Sequence, residues 1–240
     1  KELKSICGEI GVPLVFKVSY DKANRSSGSS FRGLGIKSGK KLFAKVKREL
    51  GLPVTTDAHS MEEVDEIAPF IDIIQIPAFL CRQTDLVVGS AKTGKPVNIK
   101  KGQFLAPWDV RNIIDKCLSA GNDKIIITER GSTFGYNNLV VDFKSLPIIR
   151  RFGYPVCFDA THSVQLPGGA GTSSGGQREF VDPLVRACMA VGVDALFLET
   201  HHEPDEALSD GQNMVPLKNL KNLLLHAKAL DAMVKKQDMI

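Results

Sequence analysis

The sequence predicts a parallel (β/α)₈ barrel, an α/β TIM barrel, with its first strand missing from the 240 residues. Three observations carry that expectation. Short runs rich in Val, Ile and Phe alternate with amphipathic stretches from end to end. The runs are almost continuous in hydrophobicity, as parallel strands covered on both faces are. Polar and ionisable residues cluster just after each run, where a barrel gathers its functional face.

Taken in chain order, residues 1–10 read as a helix where the pattern calls for a strand. The first expected strand is 14–19, Leu-Val-Phe-Lys-Val-Ser, and the following helix is 37–50, stopped by Gly51-Leu52-Pro53. Strand 54–57 and helix 61–68 come next, then strand 71–76 with helix 81–93. Strand 97–100 precedes helix 107–120, which ends at Gly121. Strand 124–129 leads to helix 143–151, strand 156–159 to helix 179–191, and strand 195–199 to helix 216–236. Seven strands are one short of a closed barrel. The competing reading is an open, doubly wound sheet, which usually shows a Gly-rich phosphate turn after its first strand; none follows 14–19. No linker divides the chain, so one domain over 1–240 is expected. The Gly/Ser-dense stretch 168–176 reads as a lid-like loop.

Composition bounds the function. A 43% hydrophobic and 24% charged chain is ordinary for a globular protein. There is no apolar run long enough to span a bilayer and no signal segment, so a cytoplasmic protein without a membrane role is expected. A net charge of +4 lacks the concentrated basic stripe that nucleic acid requires, and suits small anionic substrates if it converges on one cleft. Five scattered cysteines without a C-x-x-C pair argue for reduced, buried thiols rather than a disulfide framework.

Lys17 lies inside an apolar strand, and Lys100 and Lys101 end another. A buried ammonium needs an anionic partner. Either these lysines snorkel or pair with Glu129 or Asp159, or Lys17, Lys22, Lys100 and Arg130 converge on a phosphate and a carboxylate. Arg25 with Arg82 would make a second anion site, and two such sites imply two phosphorylated reactants. His162, Glu199 and Asp210 offer one imidazole and two carboxylates, a set suited to Zn, Fe or Mn. A strand-end histidine is equally compatible with acid/base work or plain hydrogen bonding. His59, His201 and His202 are further polar candidates.

Six segments together closely resemble one family: FKVSYDKANRSS, PAFLCRQTDL, VNIKKGQFLAPWD, ERGSTFGYNNLVVD, DATHSVQLPGG and FLETHHEPDEALSDG. They are similar, in unbroken order from about residue 12 to 230, to the 3-deoxy-D-manno-octulosonate 8-phosphate (KDO 8-phosphate) synthases. The resemblance implies a (β/α)₈ barrel, usually a homotetramer. It implies condensation of phosphoenolpyruvate, D-arabinose 5-phosphate and water to KDO 8-phosphate and inorganic phosphate, a transferase reaction of bacterial lipopolysaccharide synthesis. By matching motif, Lys17, Lys22, Lys100 and Arg130 would hold phosphoenolpyruvate. Asn24, Arg25 and Ser26 would hold the arabinose phosphate, with Arg82 reaching that of a neighbouring subunit. His162, Lys100 and Asp210 are the residues expected to take part in the chemistry. His162, Glu199 and Asp210 match three metal ligands of the family's metal-dependent branch.

The fourth ligand of that branch is a Cys at the end of strand one, which the chain lacks, so the metal-independent branch stays open; Asp159-Ala160-Thr161-His162 and Leu208-Ser209-Asp210 favour a divalent metal. The sister family, which uses erythrose 4-phosphate to make a heptulosonate phosphate, typically has Lys-Pro-Arg-Thr-Ser where this chain has Lys22-Ala23-Asn24-Arg25-Ser26. That difference favours the five-carbon sugar. A barrel that binds sugar phosphates without catalysis is the rival of another class.

Overall fold

The computed structural model describes residues 1–24, 27–169 and 174–237. The helices are α1 (Glu2–Ile10), α2 (Ile36–Leu50), α3 (Met61–Ile67), α4 (Thr84–Lys92), α5 (Val110–Ser119), α6 (Ser145–Arg150), α7 (Val181–Val191) and α8 (Leu217–Gln237). The strands are β1 (Phe16–Lys17), β2 (Val54–Asp57), β3 (Ile73–Ile76), β4 (Val97–Lys100), β5 (Ile125–Glu129), β6 (Ser132–Thr133), β7 (Leu139–Val140), β8 (Val156–Asp159), β9 (Gln165–Leu166), β10 (Gly175–Gly176), β11 (Ala195–Phe197), β12 (Thr200–His201) and β13 (Val215–Pro216).

Seven strands form one sheet in the order β1-β2-β3-β4-β5-β8-β11. Their pairings are parallel. Each strand adds beside the previous one, without the reversal of order that marks a doubly wound sheet. This is the alternation of a TIM-barrel-like α/β fold, and it removes the open-sheet alternative. All seven expected strands are present. Strand 14–19 contracts to Phe16–Lys17, the residues with ladder partners opposite Val54 and Thr55. Helix 81–93 starts later because 3₁₀ turns occupy Ala78–Leu80, and α5 is likewise preceded by a 3₁₀ turn at Pro107–Asp109. The ribbons β6–β7, β9–β10 and β12–β13 were not foreseen; two-residue strands are too short to carry a hydrophobic period.

The chain divides into two compact units, and the division falls inside β5. The first unit holds α1 to α5 and β1 to β4. Its core joins Phe43 and Val46 of α2 to Val54, Ile74, Ile76, Val97 and Ile99 of the sheet. Full burial of a side chain such as Phe43 contributes roughly 1.5–3 kcal/mol. Asp72, just before β3, accepts from the Val54 N–H (2.9 Å) and from Lys47 Nζ of α2 (2.7 Å). It fastens helix, strand start and next strand together.

The second unit packs α6, α7 and α8 over β8 and β11, with Leu146, Ile149, Phe158, Val185 and Cys188 in its core. Asp194, before β11, repeats the device. It accepts from the Val156 N–H (2.8 Å) and from Arg150 Nη2 of α6 (3.0 Å). The five cysteines are free and buried, as their spacing predicts. Among the described residues, no helix is long and apolar enough to cross a membrane.

Candidate active site

In the first unit, polar side chains line up across the carboxyl ends of adjacent strands. Ladder register sets this: Asp57 stands opposite Gln75, and Gln75 opposite Asn98. Residues at one level of neighbouring parallel strands point the same way, so they meet. Asn98 Nδ2 donates to Gln75 Oε1 (3.2 Å), and Gln75 Nε2 donates to Asp57. Lys17 Nζ pairs with Asp57 at 3.0 Å. Burial works against the Asp57 charge, but Lys17 and Lys100, with the Gln75 hydrogen bond, hold its carboxyl well below the usual range. Lys100 is buried at the end of β4. Within the first unit, the carboxylate that Lys17 meets is Asp57. Lys22 is half-buried in the loop after β1, and Asn24 is exposed.

That loop is fastened at its root. Asp21 accepts from Arg32 Nε (2.7 Å) and Nη2 (2.5 Å). Tyr20 is buried, and its hydroxyl donates to Glu63 Oε2 at 2.7 Å. His59, two residues after β2, donates its backbone N–H to the same oxygen (2.8 Å), and its Nδ1 lies 2.9 Å from it.

In the second unit, β8 ends at Asp159, which is fully buried. Its carboxylate accepts from the His162 N–H (2.9 Å) and meets His162 Nδ1 at 2.8 Å. The ring is thus oriented through Nδ1 and presents Nε2, which lies 3.6 Å from Glu199 Oε1. Thr161 Oγ1 accepts from the Glu199 N–H at 3.2 Å, joining the ends of β8 and β11. Arg130, after β5, is also buried. Its Nη2 donates to Gln165 Oε1 (2.6 Å), and Gln165 Nε2 donates to Asp210 Oδ1 (3.2 Å). Gln165 thus links the arginine to the aspartate. Arg130 Nη1 is buried without a hydrogen-bond partner among the described residues. Burial pulls this guanidinium below its ordinary pKa, against the opposing charges of Asp159, Glu129 and Asp210. It stays a cation at any physiological pH. Glu129 is occupied by the N–H groups of Arg130 and Gly131 and by the Ser145 hydroxyl. Asp210 sits in left-handed backbone, at φ 55°, a rare conformation for a non-glycine residue.

The donor set expected for a metal fits in part. His162 is oriented through Nδ1 by a carboxylate, the arrangement metal-binding imidazoles commonly use, and faces Glu199. Asp210 is held by Gln165. Among the described residues, the trio whose donor atoms all lie within 4.8 Å of one another is a different one: Asp21, His59 and Glu63. There the carboxylates already serve Arg32, Tyr20 and His59, and the Arg32 guanidinium opposes a divalent cation.

Arg25 and Ser26 lie outside the described residues, as do 170–173 of the expected lid. Its end, Gly175–Gly176, pairs antiparallel with Gln165–Leu166 and so helps fix Gln165. A Cβ at Gly176 would overlap the Asn213 carboxamide, which requires glycine there. Arg82 is exposed, and its carbonyl accepts from Lys116 Nζ at 2.9 Å. Sequence reading gave no role to Gln75, Asn98, Gln165, Tyr20 or Glu63, although Gln75 and Tyr20 stood among the polar residues at strand ends. A signal existed for the first two, amides inside otherwise apolar strands. None existed for Glu63, which reads as an ordinary acidic residue in the first turn of a helix.

The chain belongs to the DAHP synthetase I family, whose sequence model matches residues 1–236. It is 62% identical over 235 residues to the 2-dehydro-3-deoxyphosphooctonate aldolase of Geobacter metallireducens, covering 98% of this chain and 86% of that one. The proteins of the same name from Geotalea uraniireducens and Trichlorobacter lovleyi are 61% and 60% identical with the same coverage.

Proposed function

We propose that this protein is a transferase that condenses phosphoenolpyruvate with D-arabinose 5-phosphate and water, giving KDO 8-phosphate and inorganic phosphate. The observation that carries the geometric side of this reading is Arg130: a buried guanidinium whose Nη2 is held by Gln165 and whose Nη1 has no hydrogen-bond partner among the described residues. An oxyanion is the natural partner for such a group. The relatives' shared name and the Lys22-Ala23-Asn24 sequence favour the five-carbon aldose over erythrose 4-phosphate.

In this reading Lys17, Lys22, Lys100 and Arg130 bind phosphoenolpyruvate, and Asn24, Arg25 and Ser26 bind the arabinose phosphate. C3 of phosphoenolpyruvate attacks the aldehyde carbon, forming the new C–C bond, and the aldehyde oxygen takes up a proton. Water adds at C2 and loses one proton; the C2–O bond to phosphate then breaks as the C2 hydroxyl becomes a carbonyl, its proton passing to the departing phosphate. Without a metal His162 would handle a proton at Nε2, and with one that nitrogen would be a ligand; Lys100 stabilises negative charge in either case. Positioning two anions among fixed cations supplies much of the acceleration. His162, Glu199 and Asp210 would hold a divalent metal, which would polarise the aldehyde or activate water.

Phe104, Trp108, Phe134 and Tyr136 in the second unit are 56–98% exposed, which supports burial against further copies in a homotetramer. Arg82 would then serve a neighbouring subunit. We read residues 1–240 as a single barrel domain of a cytoplasmic enzyme. The test is phosphate release from phosphoenolpyruvate with each aldose, before and after chelator treatment, on the full-length protein. Arabinose 5-phosphate is expected to support turnover far better than erythrose 4-phosphate, and the chelator to abolish it. The reverse preference would assign the heptulosonate activity, binding without release a silent barrel, and chelator resistance the metal-independent branch.

A further inference from the structure

Glu63 is not among the residues that the reaction requires, yet one of its oxygens gathers three donors. These are the Tyr20 hydroxyl at 2.7 Å, the His59 N–H at 2.8 Å and His59 Nδ1 at 2.9 Å. Ser60 caps α3 by accepting from the Glu63 N–H at 3.3 Å, which sets Glu63 in the first helical turn. In a capping box the side chain at this position would turn back to the N-cap N–H. Here it reaches one residue further, to His59.

The donors come from two different strand ends. Tyr20 is three residues beyond β1, and His59 is two beyond β2. Tyr20 is otherwise locked by packing: its ring meets Phe43 and His59 edge-on, with centroids 6.5 and 6.1 Å apart. A Cβ on Gly39 would come within 2.7 Å of Tyr20 Cβ, so α2 also approaches closely. Immediately after Tyr20, Asp21 is clamped by Arg32, and the Lys22 N–H donates to the Arg32 carbonyl at 2.5 Å. The Gly35 N–H closes the loop on the Tyr20 carbonyl at 2.9 Å. Beyond these ties come Lys22 and Asn24.

We propose that Glu63 is a positioning residue: through Tyr20 it fixes the root of the segment presenting Lys22 and Asn24, and through Nδ1 it fixes the His59 imidazole beside them. The inference rests on the assignment of Lys22 and Asn24 to substrate. It also accounts for the Asp21–His59–Glu63 cluster without a metal, because each carboxylate there has a donor to hold.

The experiment compares Glu63→Ala, Glu63→Gln, Tyr20→Phe and Lys22→Ala by steady-state kinetics in both substrates, with thermal unfolding of each. Loss of an anchoring hydrogen bond to a charged group should cost about tenfold in KM for the aldose phosphate in Glu63→Ala, with kcat within about threefold. Glu63→Gln keeps an acceptor oxygen and should recover most of the loss. Tyr20→Phe, which removes one hydroxyl, should raise the same KM about threefold and covers the case in which Glu63→Ala fails to fold. A lowered melting temperature or kcat with both KM values unchanged would make Glu63 merely structural and overturn the proposal. If Lys22→Ala raises KM while Glu63→Ala and Tyr20→Phe do not, the positioning role falls and the substrate assignment survives. If Lys22→Ala leaves both KM values unchanged, the assignment falls and the proposal with it.

Discussion

The two units are built on the same fastening and differ in how they treat charge. Asp72 in the first and Asp194 in the second each bind the first N–H of the preceding strand and a basic side chain from the helix before that strand. At the opposite strand ends the likeness stops. The first unit sets lysines around one aspartate, so Asp57 depends on Lys17 and Lys100 for its charge balance. The second sets one arginine among carboxylates that have other donors: Glu129 has Ser145, Asp159 has His162 and Asp210 has Gln165. Framework is repeated where only stability is at stake. At the carboxyl ends of the strands, one unit's cations hold up its own structure, and the other's keeps a donor in reserve.

The largest effect expected from that difference is on Arg130→Ala. The neighbouring carboxylates retain their donors, so the melting temperature should move little, while kcat/KM falls by about 10²–10³. Arg130→Lys should recover little, because an ammonium cannot both reach Gln165 and offer a second planar donor. Lys17→Ala should behave differently. It strips the half-buried Asp57 carboxylate of a cation 3.0 Å away and should destabilise by about 3 kcal/mol as well as lowering activity. Equal stability losses in the two variants, read from chemical denaturation, would erase the contrast.

Acid should separate the units as well. The Asp57 carboxyl titrates below its ordinary range when folded, so its stabilisation is complete above the unfolded value of about 4 and is lost as pH falls toward the folded one. The stability difference between the protein and Asp57→Asn should hold steady from neutral pH to about 5 and shrink below about 4. A difference that grows in acid would reverse the sign and place the charge balance elsewhere.

A smaller effect tests the shared device. Asp72→Ala and Asp194→Ala each leave a strand-initial N–H and a basic side chain without their acceptor. Each should cost about 1–3 kcal/mol, seen as a melting temperature lower by a few degrees, with kinetic constants nearly unchanged. A large cost at one position and none at the other would show that the likeness is geometric only.

Strand positions were legible in the sequence because parallel strands covered on both faces announce themselves as unbroken apolar runs; their order came from the ladder pairings. The strand ends were legible because polar groups there interrupt the pattern. Lys17 and Lys100 stood out as charges in apolar company. Their partner did not, because Asp57 lies forty residues from Lys17 and only register brings them together. The Tyr20–Glu63 contact escaped for the same reason, a single long-range approach that leaves no period behind, and the three ribbons escaped because they are too short to carry one.

The smallest expected effect uses the buried thiols to ask which unit opens first. Cys81 and Cys117 belong to the first unit and Cys157 and Cys188 to the second. Burial pushes the Cys117 thiol up to about 11 and Cys188 up to about 12, and it raises Cys81 as well. A thiol-specific reagent at pH 8 therefore meets almost no thiolate at these positions and must wait for local opening. In native protein all four should label slowly, and in denaturant at once. Site-resolved labelling rates then rank the openings. If charge balance at strand ends governs them, Lys17→Ala should accelerate Cys81 and Cys117 and leave Cys157 and Cys188 alone. Acceleration of all four would mean that the units open together, as one cooperative structure.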